Sequence, residues 1–304
     1  MTTAVVTYGQ VTWVDIRQPT EEDIQFLRSH YSFHPLDLED CLSRVEHPKL
    51  DEYEDYLFFV MHFPLFDHQR QVTRPSEVDF FIGANYLVTI HDGVLKPLVR
   101  LFNRCEEDDG ARREYMGRGA GRLLYSILDT LVDSIFPMLN KIGAHLREIE
   151  EDMFTEDIRK TVQYISLVRR DIIAMRRVIR PQLAVVVALE QKDRPFLQRE
   201  MEVYWGDVAD AFRRAWEILE NYREVIEGLA DTSDSVASYQ INEVMRTLTV
   251  ISVVMLPLTL LSGIYGMNVA LPLATHPWAF FFIIGVMAAM TFFMLWIFYR
   301  RGWL

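Results

Sequence analysis

This 304-residue chain is poor in several features, and each shortage excludes something. Its two cysteines, Cys41 and Cys105, cannot form a disulfide framework and fit a reducing compartment. It has no glycine-rich phosphate loop ending in Lys-Ser/Thr, no Gly-x-Ser-x-Gly elbow and no His-Glu-x-x-His helix. The motifs of nucleotide hydrolysis, serine esterases and zinc peptidases are therefore missing, and no enzyme activity is expected. His62 and His68 have neither a helical His-x-x-x-His partner nor a cysteine-rich set, which argues against a zinc centre. The N-terminal MTTAVVTYGQVTW lacks a basic start followed by an apolar run, so no cleavable signal peptide is expected. A net charge of -12 weighs against a nucleic-acid partner. There is no internal repeat and no low-complexity tract.

The largest shortage is of charge in one place. From Thr247 to Tyr299 the chain runs 53 residues without Asp, Glu, Lys or Arg, and a membrane-spanning helix needs about 20 apolar residues. Two spans are expected, at about 245–264 and 278–299, joined by a turn-rich stretch at 265–277. A buried hairpin in a soluble core is the alternative, but core helices seldom stay uncharged on every face for so long. Arg246 precedes the first span, Arg300 and Arg301 follow the second in a basic tail at 300–304, and the connecting loop has no Lys or Arg. Both flanks, and hence both termini, are expected on the cytoplasmic side of an inner or plasma membrane.

Ahead of the spans the pattern is that of a cytosolic domain followed by long helices. Residues 1–115 read as α/β: VTWVDI from Val11 and YLFFVMHF from Tyr56 look like strands, and VDFFIG and YLVTIH form a hairpin around Ala84-Asn85. Thr20 followed by Asp23 reads as a capping box. Residues 116–195 read as a helical hairpin with a break at Met153-Phe154-Thr155 and a kink near Pro137. Arg169, Arg170, Arg176, Arg177 and Arg180 form a solvated or interhelical salt-bridge face. In 196–264, Val208, Phe212, Ala215, Leu219, Tyr222, Ile226, Leu229, Ser233 and Val236 make a heptad-like seam. One unbroken helix of about 67 residues, about 100 Å long, would carry that seam into the first span.

Continuing the spacing gives Asn242, Met245, Thr249, Ser252, Leu256, Thr259 and Gly263 on one face of that span. A small or polar stripe has two meanings, close helix packing or the lining of a water-filled path, and spacing alone leaves both open. Two spans cannot enclose a pore, so the second meaning requires several copies around one axis. The second span carries Trp278 and Trp296 near its ends and bulky aromatics between, as suits a lipid-facing outer helix.

The stretch Tyr265-Gly266-Met267-Asn268, together with FHPLDLEDCLSRVEHPKLDEYEDYLFFV at 33–60 and NEVMRTLTVISVVMLPLTLLSGIYGMN at 242–268, resembles the CorA family of divalent-cation channels. The resemblance implies a funnel-shaped homopentamer, a pore-lining first span and passive entry of Mg2+, with Co2+ and sometimes Ni2+ accepted, and no nucleotide. It implies a selectivity filter at Gly266, Met267 and Asn268, where neutral amide oxygens hold a cation that sheds its water reluctantly; the alternative for Asn268 is helix C-capping. Carried over by position, Asn242 is a polar ring at the cytosolic end, Met245 and either Leu248 or Leu256 are apolar constrictions, and Thr259 is a hydroxyl ring deeper in the pore. Leu256 stands where methionine is expected in some relatives. Regulatory Mg2+ between cytosolic domains would be held by Asp67 and Asp207, whose alternative is that they are ordinary surface acids. The loop 269–277 lacks the acid expected there, leaving His276 as its one titratable residue. Two other functions stay open: a zinc transporter of the ZntB-like branch, which Met267 argues against, and a membrane-anchored sensor or scaffold without transport.

Overall fold

Six strands form one sheet: β1 (Thr3–Tyr8), β2 (Val11–Arg17), β3 (Lys49–Glu52), β4 (Tyr56–Asp67), β5 (Val72–Gly83) and β6 (Tyr86–His91). The computed structural model describes residues 3–43, 47–67, 72–153, 158–191, 194, 201–269 and 277–303. Two units are distinguished, Met1–Ala230 and Asp231–Leu304. In the first, the strand order is β1-β2-β6-β5-β4-β3. The β2–β6 pair is parallel and the other neighbours are antiparallel. The expected hairpin is β5–β6, with Ile82 opposite Leu87. The sequence reading names no strand before Val11; β1 adds one at the sheet edge, Thr3 opposite Ile16.

The uninterrupted apolar run in β4 follows from burial on both faces. Leu57, Phe59, Met61 and Phe63 pack on one side with residues of the long helices, whereas Phe58 and Val60 face the other side with Ile24, Leu27 and Leu38. Strands covered on both faces lose the apolar–polar alternation. The second side belongs to α1 (Glu21–His30) and α2 (Pro35–Asp40). The capping box at the start of α1 is present: the Thr20 backbone N–H donates to Asp23 Oδ2 at 3.1 Å and the Thr20 hydroxyl to the same oxygen at 2.7 Å.

Beneath α2, Glu77 and Asp79 share one face of β5. The His62 Nε2 lies 3.4 Å from a Glu77 oxygen. Asp79 is buried and its Oδ1 has no hydrogen-bond partner. Burial first, and the Glu77 charge next, hold its pKa well above the usual carboxylate range.

The remaining helices are α3 (Lys96–Glu107), α4 (Asp109–Met116), α5 (Ala120–Asp133), α6 (Phe136–Asp152), α7 (Ile158–Gln191), α8 (Glu202–Tyr265) and α9 (Ala279–Arg300). Pro137 marks a helix start and not a kink. It sits in the first turn of α6, where its missing N–H has no partner to lose. Of the expected break, Met153 follows the end of α6, and Phe154 and Thr155 lie outside the described residues. Three helices, α5 to α7, thus occupy the stretch read as a hairpin. Within the first unit, seam residues Val208, Phe212, Ala215, Leu219 and Ile226 are buried in the core. Arg176 pairs with Glu220 and lies over the Trp216 ring, an interhelical contact between α7 and α8.

Candidate functional site

In the second unit, α8 runs unbroken to Tyr265 through the uncharged stretch, with Pro257 inside it. Its composition is Val-, Leu- and Ile-rich, and a helix is the one local solution that satisfies every backbone group without water. At about 100° per residue, Asn242, Met245, Thr249, Ser252, Leu256, Thr259 and Gly263 fall within a sector of about 100°, and Leu248 flanks it by about 20°. All eight are exposed; Leu256, a large apolar residue, is 71% exposed. The shielded positions Arg246, Val250, Val254, Pro257, Leu258, Leu261 and Tyr265 centre about 150° away round the helix. The stripe therefore lies within the open side of α8 in this unit, which also includes Ile251, Met255 and Leu260. A shallow groove runs along it, lined by Ser252, Leu256, Thr259, Gly263 and Met267 among others.

The hydroxyls on this side have a defined polarity. Thr249 Oγ1 donates to the Met245 carbonyl at 2.7 Å, Ser252 Oγ to Leu248 at 2.9 Å and Thr259 Oγ1 to Met255 at 2.8 Å. Carbonyl oxygens only accept, so each hydroxyl proton is committed to its own helix. What remains is lone pairs. The open side thus offers acceptors, which suits a cation or the protons of its bound water.

At the end of α8, Gly266 N donates to the Ser262 carbonyl at 3.0 Å and Met267 N to the Ile264 carbonyl at 3.2 Å. A Cβ on Gly266 would meet the Ser262 oxygen at 3.2 Å, whereas at Gly263 it would meet nothing within 4 Å. Among the described residues, packing does not require glycine at 263. Asn268 is exposed, has no positive φ, and makes no side-chain hydrogen bond among the described residues. Left-handed capping is therefore not what this asparagine does. Residues 270–276, including His276, lie outside the described residues. Along α9 the apolar side chains are largely exposed, Phe280, Phe281, Phe292 and Trp296 among them. Both helices are long and apolar enough to cross a membrane.

In the first unit Asp207 lies near the start of α8 and accepts a hydrogen bond from the Tyr125 hydroxyl at 2.9 Å. Tyr125 is pushed up to about 12 by burial and by that bond, with the Asp129 and Asp207 charges adding to it. The Asp129 carboxyl is raised by burial, then by the charges of Asp133 and Asp207, and Arg122 opposes them. Asp129, within electrostatic reach of both Asp133 and Asp207, links the three into a loose carboxylate cluster. Sequence reading missed Asp129 and Asp133, although ILDTLVDS puts two acids four residues apart on one face of α5. Asp67 is elsewhere, at the end of β4, with Arg74 Nε 4.0 Å away. Among the described residues no three His, Cys, Asp or Glu side chains are grouped so as to hold a metal ion. His62 faces Glu77, and His68 lies outside the described residues.

An α/β domain followed by long helices, with the C-terminal part of α8 and all of α9 apolar and exposed, defines a class of two-span membrane protein. The chain belongs to the CorA-like Mg2+ transporter protein family, whose model matches residues 8–300. The Bacillus subtilis (strain 168) protein YfjQ is 33% identical over 296 residues, 96% of this chain and 89% of that one. The cobalt/magnesium transport protein CorA of Thermotoga maritima is 29% identical over 295 residues, 96% of this chain and 83% of that one. The complete structure of the CorA magnesium transporter from Methanocaldococcus jannaschii superposes with a TM-score of 0.85 at 25% identity, covering 98% of this chain and 94% of that one. Family members are transporters or channels in membranes, and the fold is theirs.

Proposed function

We propose that several copies of this chain, five by family resemblance, place the open side of α8 around one axis and let Mg2+ pass into the cell. Co2+ is an alternative cargo, and Ni2+ a further one. The observation that carries this reading is the row of acceptor-only hydroxyls on a side of the helix that no described residue of its own unit covers. In this arrangement α9 is the outer helix, the spans lie at about 245–264 and 278–299, and both termini are cytoplasmic.

Each residue then has a task. Asn268, with Gly266 and Met267, forms a mouth whose amide and backbone oxygens hold a hydrated ion loosely enough to release it. Thr259, Ser252 and Thr249 accept hydrogen bonds from its water, Gly263 lets helices approach, and Asn242 forms the inner polar ring. Met245, Leu248 and Leu256 are apolar constrictions that shut by dewetting. The driving force is electrical, about 4.6 kcal/mol for a divalent ion per 100 mV, twice the single-charge value, and no bond-making chemistry is assigned to the chain.

Cytosolic Mg2+ at Asp207 and its neighbour Asp129 would neutralise a cluster whose members already repel, biasing subunits toward a closed arrangement. Asp67 is proposed as a second carboxylate of this regulation, although Arg74 already stands beside it. Flux of Mg2+ and Co2+ into proteoliposomes, in competition with Ni2+ and Zn2+, tests the whole reading: entry that Asn268→Ala abolishes is expected. Zn2+ entry without Mg2+ entry would transfer the chain to the zinc alternative, and absence of any flux would leave the scaffold reading.

A further inference from the structure

Beside the carboxylate cluster, which Arg122 also reaches, one cavity of the first unit gathers cations. It measures about 630 Å3 and its walls include Tyr8, Arg113, Glu114, Arg118 and Arg122. Three arginines line one space. Among the described residues none of the three forms an ion pair, and the one carboxylate in the wall, Glu114, lies 3.8 Å from Arg104.

Arg122 is the best defined of the three. Its guanidinium lies over the Tyr204 ring at 4.1 Å and the Tyr125 ring at 4.7 Å, so its face is held by aromatic contact and its edge is not. Nη1 is buried and has no hydrogen-bond partner among the described residues. A buried, charged donor without an acceptor is a standing cost. The turn between α4 and α5 adds to the field. Gly119 stands there with φ 101° and no side chain caps the α5 N-terminus, so the positive end of a 14-residue helix lies beside the arginines.

Three arginines, of which Arg122 alone also has Asp129 within electrostatic reach, leave room for more negative charge than Glu114 carries, and the arginine fork matches phosphoryl oxygens in pairs. We propose that this cavity binds a phosphoryl-bearing anion. The cavity exceeds what inorganic phosphate alone would fill, so a phosphate ester has room for its organic part beside Tyr8. This assignment does not depend on the transport reading.

The test is calorimetric titration of the full-length protein in detergent, with EDTA present so that no divalent cation takes part. The probes are inorganic phosphate, pyrophosphate and ribose 5-phosphate, with acetate as control. Saturable binding of at least one phosphoryl probe is expected, at least about tenfold tighter than acetate. Arg118→Gln should weaken it by about tenfold, and the double variant Arg113→Gln/Arg118→Gln by about a hundredfold. Both residues are exposed, so these variants should fold; an unchanged thermal midpoint without anion checks this, and the midpoint should rise with phosphate in the wild type alone. Equal affinity for phosphate and ester means the phosphoryl group suffices, and a tenfold preference for the ester means its organic part is also held; either supports the site. No saturable binding of any phosphoryl probe, or binding undiminished in the double variant, overturns it.

Discussion

Replacing Thr259 by valine removes one hydroxyl at nearly constant volume and so isolates the acceptor role of the open side of α8. The Thr259 proton is already spent on the Met255 carbonyl at 2.8 Å, so the substitution costs the outside world lone pairs and nothing else. A neutral hydrogen bond is worth about 0.5–1.5 kcal/mol net, a factor of roughly 2 to 12 in the population of the ion at that level. With several copies contributing, the loss should be at least that of one. A matched control lies on the same helix: Thr247 Oγ1 donates to the Glu243 carbonyl at 3.0 Å but sits about 170° from the centre of the stripe. Mg2+ influx into proteoliposomes should fall at least twofold in Thr259→Val and stay at the wild-type level in Thr247→Val. Unchanged flux in the first variant, or an equal loss in both, would refute the reasoning.

The other predictions concern the first unit. Asp207→Ala and Asp129→Ala should each weaken inhibition of influx by internal Mg2+, because each removes a carboxylate from the cluster that raises Tyr125 and Asp129; coincident inhibition curves for wild type and both variants would remove the cluster from regulation. Asp67→Ala is measured beside them, and inhibition unchanged in that variant alone would confine regulation to α5 and α8. For Asp79 the pH dependence has a definite sign. Its folded pKa lies above the unfolded value, so the Asp79 contribution to stability is greatest at low pH and falls as pH rises above about 4, by up to about 1.4 kcal/mol per pH unit until the folded group ionises. Asp79→Asn should flatten that slope in thermal unfolding between pH 5 and pH 8, and a slope equal to the wild type's would mean that the carboxyl is ionised in the fold.

Some elements were legible because one physical rule dominates them. The charge-free run from Thr247 specifies apolar helices whatever precedes it, and the end of α8 and α9 fall there. Thr20 and Asp23 sit three residues apart, and a capping box is a purely local bond pattern. The seam from Val208 to Ile226 is buried because its period is helical. Other features depend on distant partners. β1 became a strand because β2 offers it an edge, and the parallel β2–β6 pair joins strands about 75 residues apart. Pro137 is compatible with a kink or a helix start, and the packing of α5 and α6 chose the start. Asp129 matters through Asp207 and Tyr125, on other helices or other turns, so spacing in α5 alone could not single it out. Asn268 carries a short signature in the sequence; what the structure adds is that its side chain is not occupied by capping.

The central claim is that one side of α8 faces the ion and the opposite side does not. Single cysteines placed at Ser252, Leu256, Thr259 and Gly263, and at the shielded Val254, Leu258 and Leu261, test it in one experiment, since native Cys41 and Cys105 are both buried. Flux in proteoliposomes is then followed before and after a hydrophilic thiol reagent. Block of influx at the first four positions, with cross-links between copies under oxidation, and indifference at the other three is the predicted result. Block at the shielded positions, or no difference between the two sets, would contradict it.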